Sequence, residues 1–218
     1  MVRKSPDTAC LLMACVRASI VFVPILPLQK RTTISHVMKD CDMRAIIYDK
    51  SRESELVEQF ETEHIELQLL LNGVEQVSIA PKVYHESFCW DEPAAVIYSS
   101  GSTGLPKGIV VSQRNLVDGA RIVGSYTGVT SEDVIISPLS FNFDYGLNQL
   151  WLAAVWQIEL VLHEFSFSLR LFAEIEETKA TILPLMPVFI ANIVDERFEK
   201  RLVNFSSKSL RLVTTSDR

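Results

Sequence analysis

Glycine is scarce in this chain of 218 residues, which contains only eight. Three of the eight, Gly101, Gly104 and Gly108, fall within eight consecutive positions. A general shortage of glycine excludes collagen-like and glycine-rich low-complexity chains. Its concentration in one stretch indicates a place where the backbone turns sharply or approaches a ligand closely.

An excess of positive charge and a long apolar segment are also missing. The chain has 21 Lys and Arg against 27 Asp and Glu, a formal net charge of −6. This balance argues against a nucleic acid or an anionic membrane held by general electrostatics. The stretch Leu147–Leu162 is interrupted by Gln149, Gln157 and Glu159, and it is too short and too polar to span a bilayer. We therefore expect no nucleic-acid partner and no membrane span.

Paired cysteines are the third absence. The four cysteines form no C-x-x-C pair, and no histidine lies at zinc-finger spacing from them: Cys10, Cys15, Cys41 and Cys89. This pattern is typical of reduced thiols in a cytosolic protein. The sequence therefore predicts a cytoplasmic location and no cysteine-held metal.

Short β-rich runs alternate along the chain with longer helical patterns. The predicted strands are Val21–Pro24, Arg44–Tyr48, Glu66–Leu71, Ala94–Tyr98, Gly108–Val111, Val134–Ser137, Ile158–Leu162, Thr181–Leu183 and Leu210–Val213. The predicted helices are Thr8–Arg17, Thr32–Cys41, Ser51–Glu63, Arg114–Tyr126, Tyr145–Trp156, Phe167–Thr178 and Val188–Phe198. This alternation predicts one α/β domain with a mostly parallel sheet flanked by helices.

The glycine cluster lies in the segment Tyr98–Gly108, which reads YSSGSTGLPKG and follows a predicted strand. Glycines let backbone N–H groups approach an anion, hydroxyls donate to phosphate oxygens, and Lys107 adds a mobile positive charge. The segment is not a Walker A loop, because Lys107 precedes Gly108 rather than a hydroxyl residue. Composition alone favours a surface turn, so the interpretation depends on the order of the residues.

That order resembles the phosphate-binding signature of the adenylate-forming superfamily, [YF]-[TS]-S-G-[ST]-T-G-x-P-K-G, with every element present. The superfamily comprises acyl-CoA synthetases, luciferases and the adenylation domains of nonribosomal peptide synthetases. Three more segments are similar to it in sequence and order: Val16–Leu28, Phe141–Gly146 and Leu210–Ser216. The resemblance covers nearly all of the chain and implies an incomplete large domain of the adenylate-forming ligase fold, with the small C-terminal domain absent.

The resemblance also implies an activity. Members of this family join a carboxylic acid to ATP as an acyl-adenylate, and then transfer the acyl group to a thiol of coenzyme A or of a phosphopantetheinyl carrier protein. It implies ATP and Mg²⁺ as cofactors, with Thr103 and Lys107 in catalytic roles. The residues implied to hold the phosphates are Ser99, Ser100, Gly101, Ser102, Thr103, Gly104 and Lys107.

The acid pocket is implied to be lined by Phe143, Asp144, Tyr145 and Gly146. In members that activate amino acids, an Asp at the position of Asp144 pairs with the substrate ammonium. A role as the N-cap of the following helix carries equal weight for Asp144. Other polar residues are given no catalytic role, since the four histidines are scattered and Glu174, Glu176 and Glu177 are expected to form a solvated helix face.

The sequence also departs from the family pattern. Ser19, Gln157 and Asp217 stand where the family carries glycine. The segments that bind adenine, ribose and magnesium in the family are expected to be missing, which implies a fragment inactive on its own. The alternative is a non-catalytic remnant, or a partner subunit that completes the adenylation domain of another polypeptide.

Overall fold

The structure, a computed structural model, describes residues 1–26, 29–52, 62–75, 89–99, 105–164, 169–193 and 208–216. The chain divides into two compact units, Met1–Gln113 and Arg114–Arg218. Among the residues described, every helix is too short or too polar to traverse a bilayer.

The first unit combines helices with two separate strand pairs. Its helices are α1 (Pro6–Arg17), α2 (Arg31–Asp40) and α3 (Leu67–Glu75), with a 3₁₀ turn at Lys50–Arg52. Strands β1 (Ala45–Tyr48) and β2 (Glu63–Glu66) pair in parallel. Strands β3 (Pro93–Ser99) and β4 (Lys107–Ser112) form an antiparallel hairpin.

The core of the first unit is built on α2. Ile34, Val37 and Met38 recur at helical spacing and are buried on one face of that helix. They pack into one cluster with Ile25, Ile46 and Tyr48. Because this face is buried, α2 is firmly held in the unit, and its other residues have fixed positions relative to the strands.

The second unit contains the larger sheet. After α4 (Gln113–Thr127) come β5 (Val134–Ser137), α5 (Asp144–Trp156), β6 (Glu159–Leu162), α6 (Leu169–Thr178), β7 (Ile182–Leu185), α7 (Pro187–Ile193) and β8 (Leu212–Thr215). The strands lie in the order β6-β5-β7-β8 and are all parallel. Leu171, Phe172 and Ile175 of α6 pack on Ile136, Leu183 and Leu185 of the sheet.

The predicted α/β fold with a mostly parallel sheet is confirmed, but two strand predictions are wrong. Of the predicted strand Glu66–Leu71, Glu66 ends β2 and Leu67–Leu71 begin α3, because these five residues are leucine and glutamine with no β-branched residue among them, a composition that favours a helix. The predicted strand Val21–Pro24 is reduced to one parallel bridge between Phe22 and Ala95, since Pro24 has no N–H to donate to a ladder.

Several other predictions have a partial outcome. The last strand begins two residues later than predicted, at Leu212. The two strands that flank the glycine cluster are antiparallel, whereas the described strands of the other two sheets are all parallel. Most of the predicted helix Ser51–Glu63 and the ends of two others (167–168 and 194–198) lie outside the described residues.

Two of the positions that depart from the family pattern have an unusual backbone. Ser19 has φ of +54° and Gln157 has φ of +57°, in the left-handed region that favours glycine. Gln157 lies at the C-cap of α5, a position where helices commonly end on glycine. Asp217 lies outside the described residues.

Candidate functional site

The described residues of the glycine-rich signature, 98–99 and 105–108, lie at the end of β3, at the start of β4 and directly ahead of it. Ser99, the last residue of β3, pairs with Lys107, the first residue of β4. Ser99 and Lys107, both implied to bind phosphate, therefore lie opposite each other on the two strands. We call this pair the neck of the loop. The Lys107 side chain is exposed. The intervening residues 100–104, which include five of the implied phosphate-binding residues, lie outside the described part of the chain.

Gly108 allows a close approach in this hairpin. It pairs with Tyr98 across the two strands. A Cβ at position 108 would lie 2.8 Å from Cγ1 of Val96 and 3.1 Å from Cζ of Tyr98. Only glycine therefore leaves room for the Tyr98 ring to lie over β4, directly beside the neck of the loop.

Tyr98 is fixed by two hydrogen bonds to the end of α2. Its hydroxyl donates to the Asp40 carboxylate. The Tyr98 oxygen lies 3.1 Å from Sγ of Cys41. Since the hydroxyl has a single proton, the Cys41 thiol is the donor in this second bond. Burial, followed by the bond to Asp40, raises the pKa of Tyr98 well above its usual value, so the phenol stays protonated.

The motif Phe141–Gly146 of the second unit, the acid motif, lies where the order of the strands predicts a bound ligand. The chain passes from β5 to β6 on one side and then returns across β5 to β7 on the other. In open parallel sheets, ligands bind beyond the carboxyl ends of the strands at such a reversal. The motif Phe141–Gly146 follows β5, which ends at Ser137. The sheet therefore brings the motif to the edge expected for a binding site.

A tight turn leads from this motif into α5. A Cβ at Gly146 would lie 2.0 Å from the carbonyl oxygen of Ser140, so no other residue fits there without moving the backbone. The N-cap of α5 is Phe143, without a side-chain hydrogen bond, and Asp144 is the first helical residue. The prediction that Asp144 caps this helix is therefore wrong, and its exposed carboxylate is not committed to a cap.

Tyr145 connects the acid motif to β8. Its hydroxyl lies 2.6 Å from Oγ1 of Thr214. Burial raises the pKa of Tyr145, so the group is a neutral phenol. Thr214 lies in the family-like segment Leu210–Ser216, but the sequence gives no signal that its partner is a tyrosine 69 residues away. Of the implied pocket residues, Phe143 and Asp144 are exposed, Tyr145 is half-buried and Gly146 is buried.

A buried histidine paired with a partly buried glutamate lies at the same edge of the sheet. His163 follows β6 and is 3% exposed, and its Nδ1 lies 2.6 Å from Oε2 of Glu174. Burial opposes ionisation of Glu174, but hydrogen bonds from His163 and Arg170 outweigh it and lower its pKa. The expectation of a solvated face is therefore wrong for Glu174, whereas Glu176 and Glu177 are exposed.

Magnesium is the metal that the family resemblance implies. Mg²⁺ is held in proteins by oxygen ligands, commonly one or two carboxylates together with substrate phosphates. Within the described ranges no group of three or more His, Cys, Asp or Glu side chains is arranged to hold a metal ion.

The parallel sheet with the motif Phe141–Gly146 beyond its carboxyl edge, together with the antiparallel β3–β4 pair, defines an α/β protein. A family model described as "AMP-binding enzyme" matches residues 1–217, and the chain belongs to this family of adenylate-forming ligases. The resemblance inferred from the sequence is thereby confirmed.

The chain is similar to several characterised proteins over part of their length. Delta-poly-L-ornithine synthetase of Acinetobacter baumannii is 31% identical over 123 residues, 54% of this chain and 9% of that protein. Polyketide synthase-nonribosomal peptide synthetase ffsA of Aspergillus flavipes is 28% identical over 162 residues, 72% of this chain and 4% of that protein. The structure of VinN with L-aspartate matches with a TM-score of 0.86 and 23% identity, covering 100% of this chain and 55% of VinN. The chain thus spans about half of a protein with the same fold.

Proposed function

We propose that this chain is the phosphate- and acid-binding part of an AMP-forming acid–thiol ligase. The observation that carries the proposal is the hairpin neck, where Ser99 and Lys107 of the complete family signature pair across two strands. The family match over residues 1–217 supports it. Most of the length of the curated relatives lies outside the matched region, so the overall reaction is part of the proposal.

The signature loop is proposed to hold the triphosphate of ATP. Its hydroxyls and backbone N–H groups supply donors without a bulky side chain in the way, and Lys107 supplies a positive charge. Among the described residues, no side chain is paired with the exposed Lys107 ammonium, which leaves it available for an anion. The proposed donors are Ser99, Ser100, Gly101, Ser102, Thr103 and Lys107, with Gly104 shaping the loop.

The proposed reaction has two steps. An oxygen of the substrate carboxylate attacks the α-phosphorus of ATP, the bond from that phosphorus to the bridging oxygen breaks, and pyrophosphate leaves. A thiol sulfur then attacks the acyl carbon, loses its proton, and AMP leaves. Both steps develop negative charge on phosphate oxygens, so fixed donors and the Lys107 charge lower the barrier. The thiol belongs to coenzyme A or to the phosphopantetheine of a carrier protein.

The acid is proposed to be an amino acid held at the acid motif. Asp144 carries an exposed carboxylate with no capping role, which suits it to pair with a substrate ammonium. Phe143, Tyr145 and Gly146 would form the surrounding surface. The names of the two curated relatives, a polyornithine synthetase and a nonribosomal peptide synthetase, support an amino-acid substrate.

For the isolated 218 residues we propose triphosphate binding without turnover. A second candidate, a remnant or partner subunit that completes another polypeptide, is favoured by one observation. Among the described strands, β8 has a neighbour on one side only, and Val213 on it is 52% exposed, whereas all four residues of β7 are buried. Parallel strands are normally covered on both faces.

An ATP titration of the purified chain tests the proposal. We expect saturable binding that Lys107→Ala weakens about tenfold, since hydrogen bonds to charged groups contribute about 1.5–3 kcal/mol. Lys39→Ala, which removes an exposed lysine from α2, is the matched control and leaves binding unchanged. Equal titrations for all three proteins would show that the loop assignment is wrong.

Pyrophosphate exchange with a panel of amino and carboxylic acids tests both candidates. The ligase fragment and the partner subunit both predict no exchange from the chain alone, and both predict exchange once a polypeptide carrying the rest of the domain is added. A non-catalytic remnant predicts no exchange in either case. Exchange by the chain alone contradicts both the inactive fragment and the remnant.

A further inference from the structure

The side chain of His36 contacts both ends of the signature loop. His36 lies on α2, and its Nε2 is 2.9 Å from the carbonyl oxygen of Pro106, the residue before Lys107. A carbonyl oxygen only accepts, so Nε2 carries a proton and donates it. The same imidazole ring meets the Tyr98 ring edge-on, with centroids 6.2 Å apart. One side chain thus touches the residue before Ser99 and the residue before Lys107.

Two further contacts to Tyr98 come from the same helix. Tyr98 is bonded to Asp40, the last residue of α2, and to Cys41, its C-cap. Tyr98 also packs against the buried cluster that includes Val37 of this helix. Because the residues at both ends of the loop contact the same buried helix, a displacement of α2 would move Tyr98 and Pro106 together.

The bond from His36 acts on the peptide that leads directly into Lys107. Pro106 has no N–H, so its carbonyl oxygen is its one strong hydrogen-bonding group, and His36 occupies it. Rotation of that peptide unit would re-aim the Lys107 side chain. A misplacement of about 1 Å in a group that contacts a reacting phosphate is costly, about 100-fold in rate.

We propose that His36 is a positioning residue for the two ends of the signature loop. Through Pro106 and Tyr98 it holds Lys107 and Ser99 in the arrangement that receives the phosphates of ATP. This inference rests on the proposed function of the loop. It gives His36 a role that acts through Pro106 and Tyr98, without contact to the nucleotide. It predicts that loss of the Nε2 donor loosens the loop before any ligand is present.

Three substitutions at position 36 separate the contacts of this side chain. His36→Phe keeps an aromatic ring beside Tyr98 and loses the donor to Pro106. His36→Gln keeps an N–H donor at a similar reach and loses the ring. His36→Asn also loses the donor, because its amide is too short to reach Pro106. It serves as the donor-free variant if His36→Phe does not fold. Lys39→Ala on the same helix is the control.

Amide hydrogen exchange without ligand is the first measurement. We expect faster exchange in the peptide covering residues 99–107 of His36→Phe and His36→Asn, partial recovery in His36→Gln, and no change in Lys39→Ala. The ATP titration is the second. We expect about fivefold weaker binding without the donor, since one hydrogen bond contributes about 1 kcal/mol, and recovery in His36→Gln.

The outcomes distinguish this inference from the proposed function. If the wild-type chain binds ATP and the two donor-free variants match it in both exchange and titration, the positioning role is wrong and the function of the loop stands. If exchange accelerates throughout the first unit, His36 supports the fold generally and the positioning role is again wrong. If the wild-type chain does not bind ATP, the proposed function is overturned and the positioning role falls with it.

Discussion

Asp133 and Arg211 join the first and last strands of the second unit through a two-point ion pair. Nε of Arg211 donates to Oδ1 of Asp133 over 2.7 Å, and the other guanidinium donor bonds to Oδ2. Thr181, ahead of β7, donates to the same carboxylate over 2.7 Å. This network lies at the amino end of the sheet, opposite the edge that carries the acid motif, which indicates a structural role.

Asp133→Asn should destabilise the second unit. Asp133 is 4% exposed, so removal of its charge leaves the Arg211 bonds weakened, and we expect a loss of about 2 kcal/mol in the free energy of unfolding at neutral pH. Urea unfolding measures it. The matched control is Asp118→Asn, whose ion pair with Arg121 is solvent-exposed, and we expect it to change stability little.

The same pair predicts a dependence on pH. The Arg211 guanidinium holds the pKa of Asp133 well below its ordinary value of about 3.9. A carboxyl with a lowered folded-state pKa contributes stability that is fully present above the unfolded pKa and is lost as the pH falls below it. We therefore expect wild-type stability to fall below about pH 4, and to fall less steeply in Asp133→Asn. Parallel pH profiles would contradict this role.

Glu174→Gln should be more damaging than the same change three residues later on α6. Glu174 accepts hydrogen bonds from buried His163 and from Arg170, whereas Glu177 is exposed. Loss of the charged acceptor should lower the free energy of unfolding by about 1–2 kcal/mol, and Glu177→Gln should change it by less than about 0.5 kcal/mol. Thermal unfolding of both variants measures the difference. Equally small changes would mean that this helix face is solvated throughout, as the sequence predicted.

Gln157→Gly should stabilise the second unit. Gln157 has φ of +57° at the end of α5, a conformation that costs a residue with a Cβ about 1 kcal/mol. Glycine removes that cost, and we expect a rise of about 2–4 °C in the unfolding midpoint. Gln157→Ala keeps the Cβ and serves as the control, with no rise expected. A rise with alanine as well would assign the effect to the loss of the glutamine side chain.

Gly146→Ala should disrupt the acid motif. The new Cβ would lie 2.0 Å from the Ser140 carbonyl oxygen, so the turn into α5 must open. We expect a loss of about 2–3 kcal/mol in the free energy of unfolding. Gly119→Ala is the control in α4, where the nearest atom to the new Cβ lies at 3.4 Å, and alanine there should be neutral or stabilising. Similar losses in both variants would contradict this account.

Features that depend on neighbouring residues, or on the order of residues in a motif, could be predicted from the sequence. The glycine-rich signature marked where β3 ends and β4 begins, and the positions at which the family carries glycine marked the positive φ of Ser19 and Gln157. The prediction of a strand failed for Glu66–Leu71, because a short apolar run fits a strand and a buried helix equally well.

Contacts between distant residues could not be predicted from the sequence at all. His36 and Pro106 are 70 residues apart, and Asp133 and Arg211 are 78 residues apart. Such pairs depend on how strands align and where helices pack, and neither is visible in the local periodicity of side chains. The sequence therefore assigned no role to His36, His163 or Glu174, whose hydrogen-bond partners are visible only in the folded structure.

The hydrogen bond between Tyr145 and Thr214 should couple the acid motif to β8. In a double-mutant cycle with Tyr145→Phe and Thr214→Val, we expect the two losses of unfolding free energy to be non-additive by about 1 kcal/mol, since either change alone breaks the 2.6 Å bond. Glu177→Gln changes an exposed side chain on α6, and combined with Thr214→Val it should be additive. Additive losses in the first cycle would mean that Thr214 does not hold Tyr145, and that the acid motif is positioned by α5 alone.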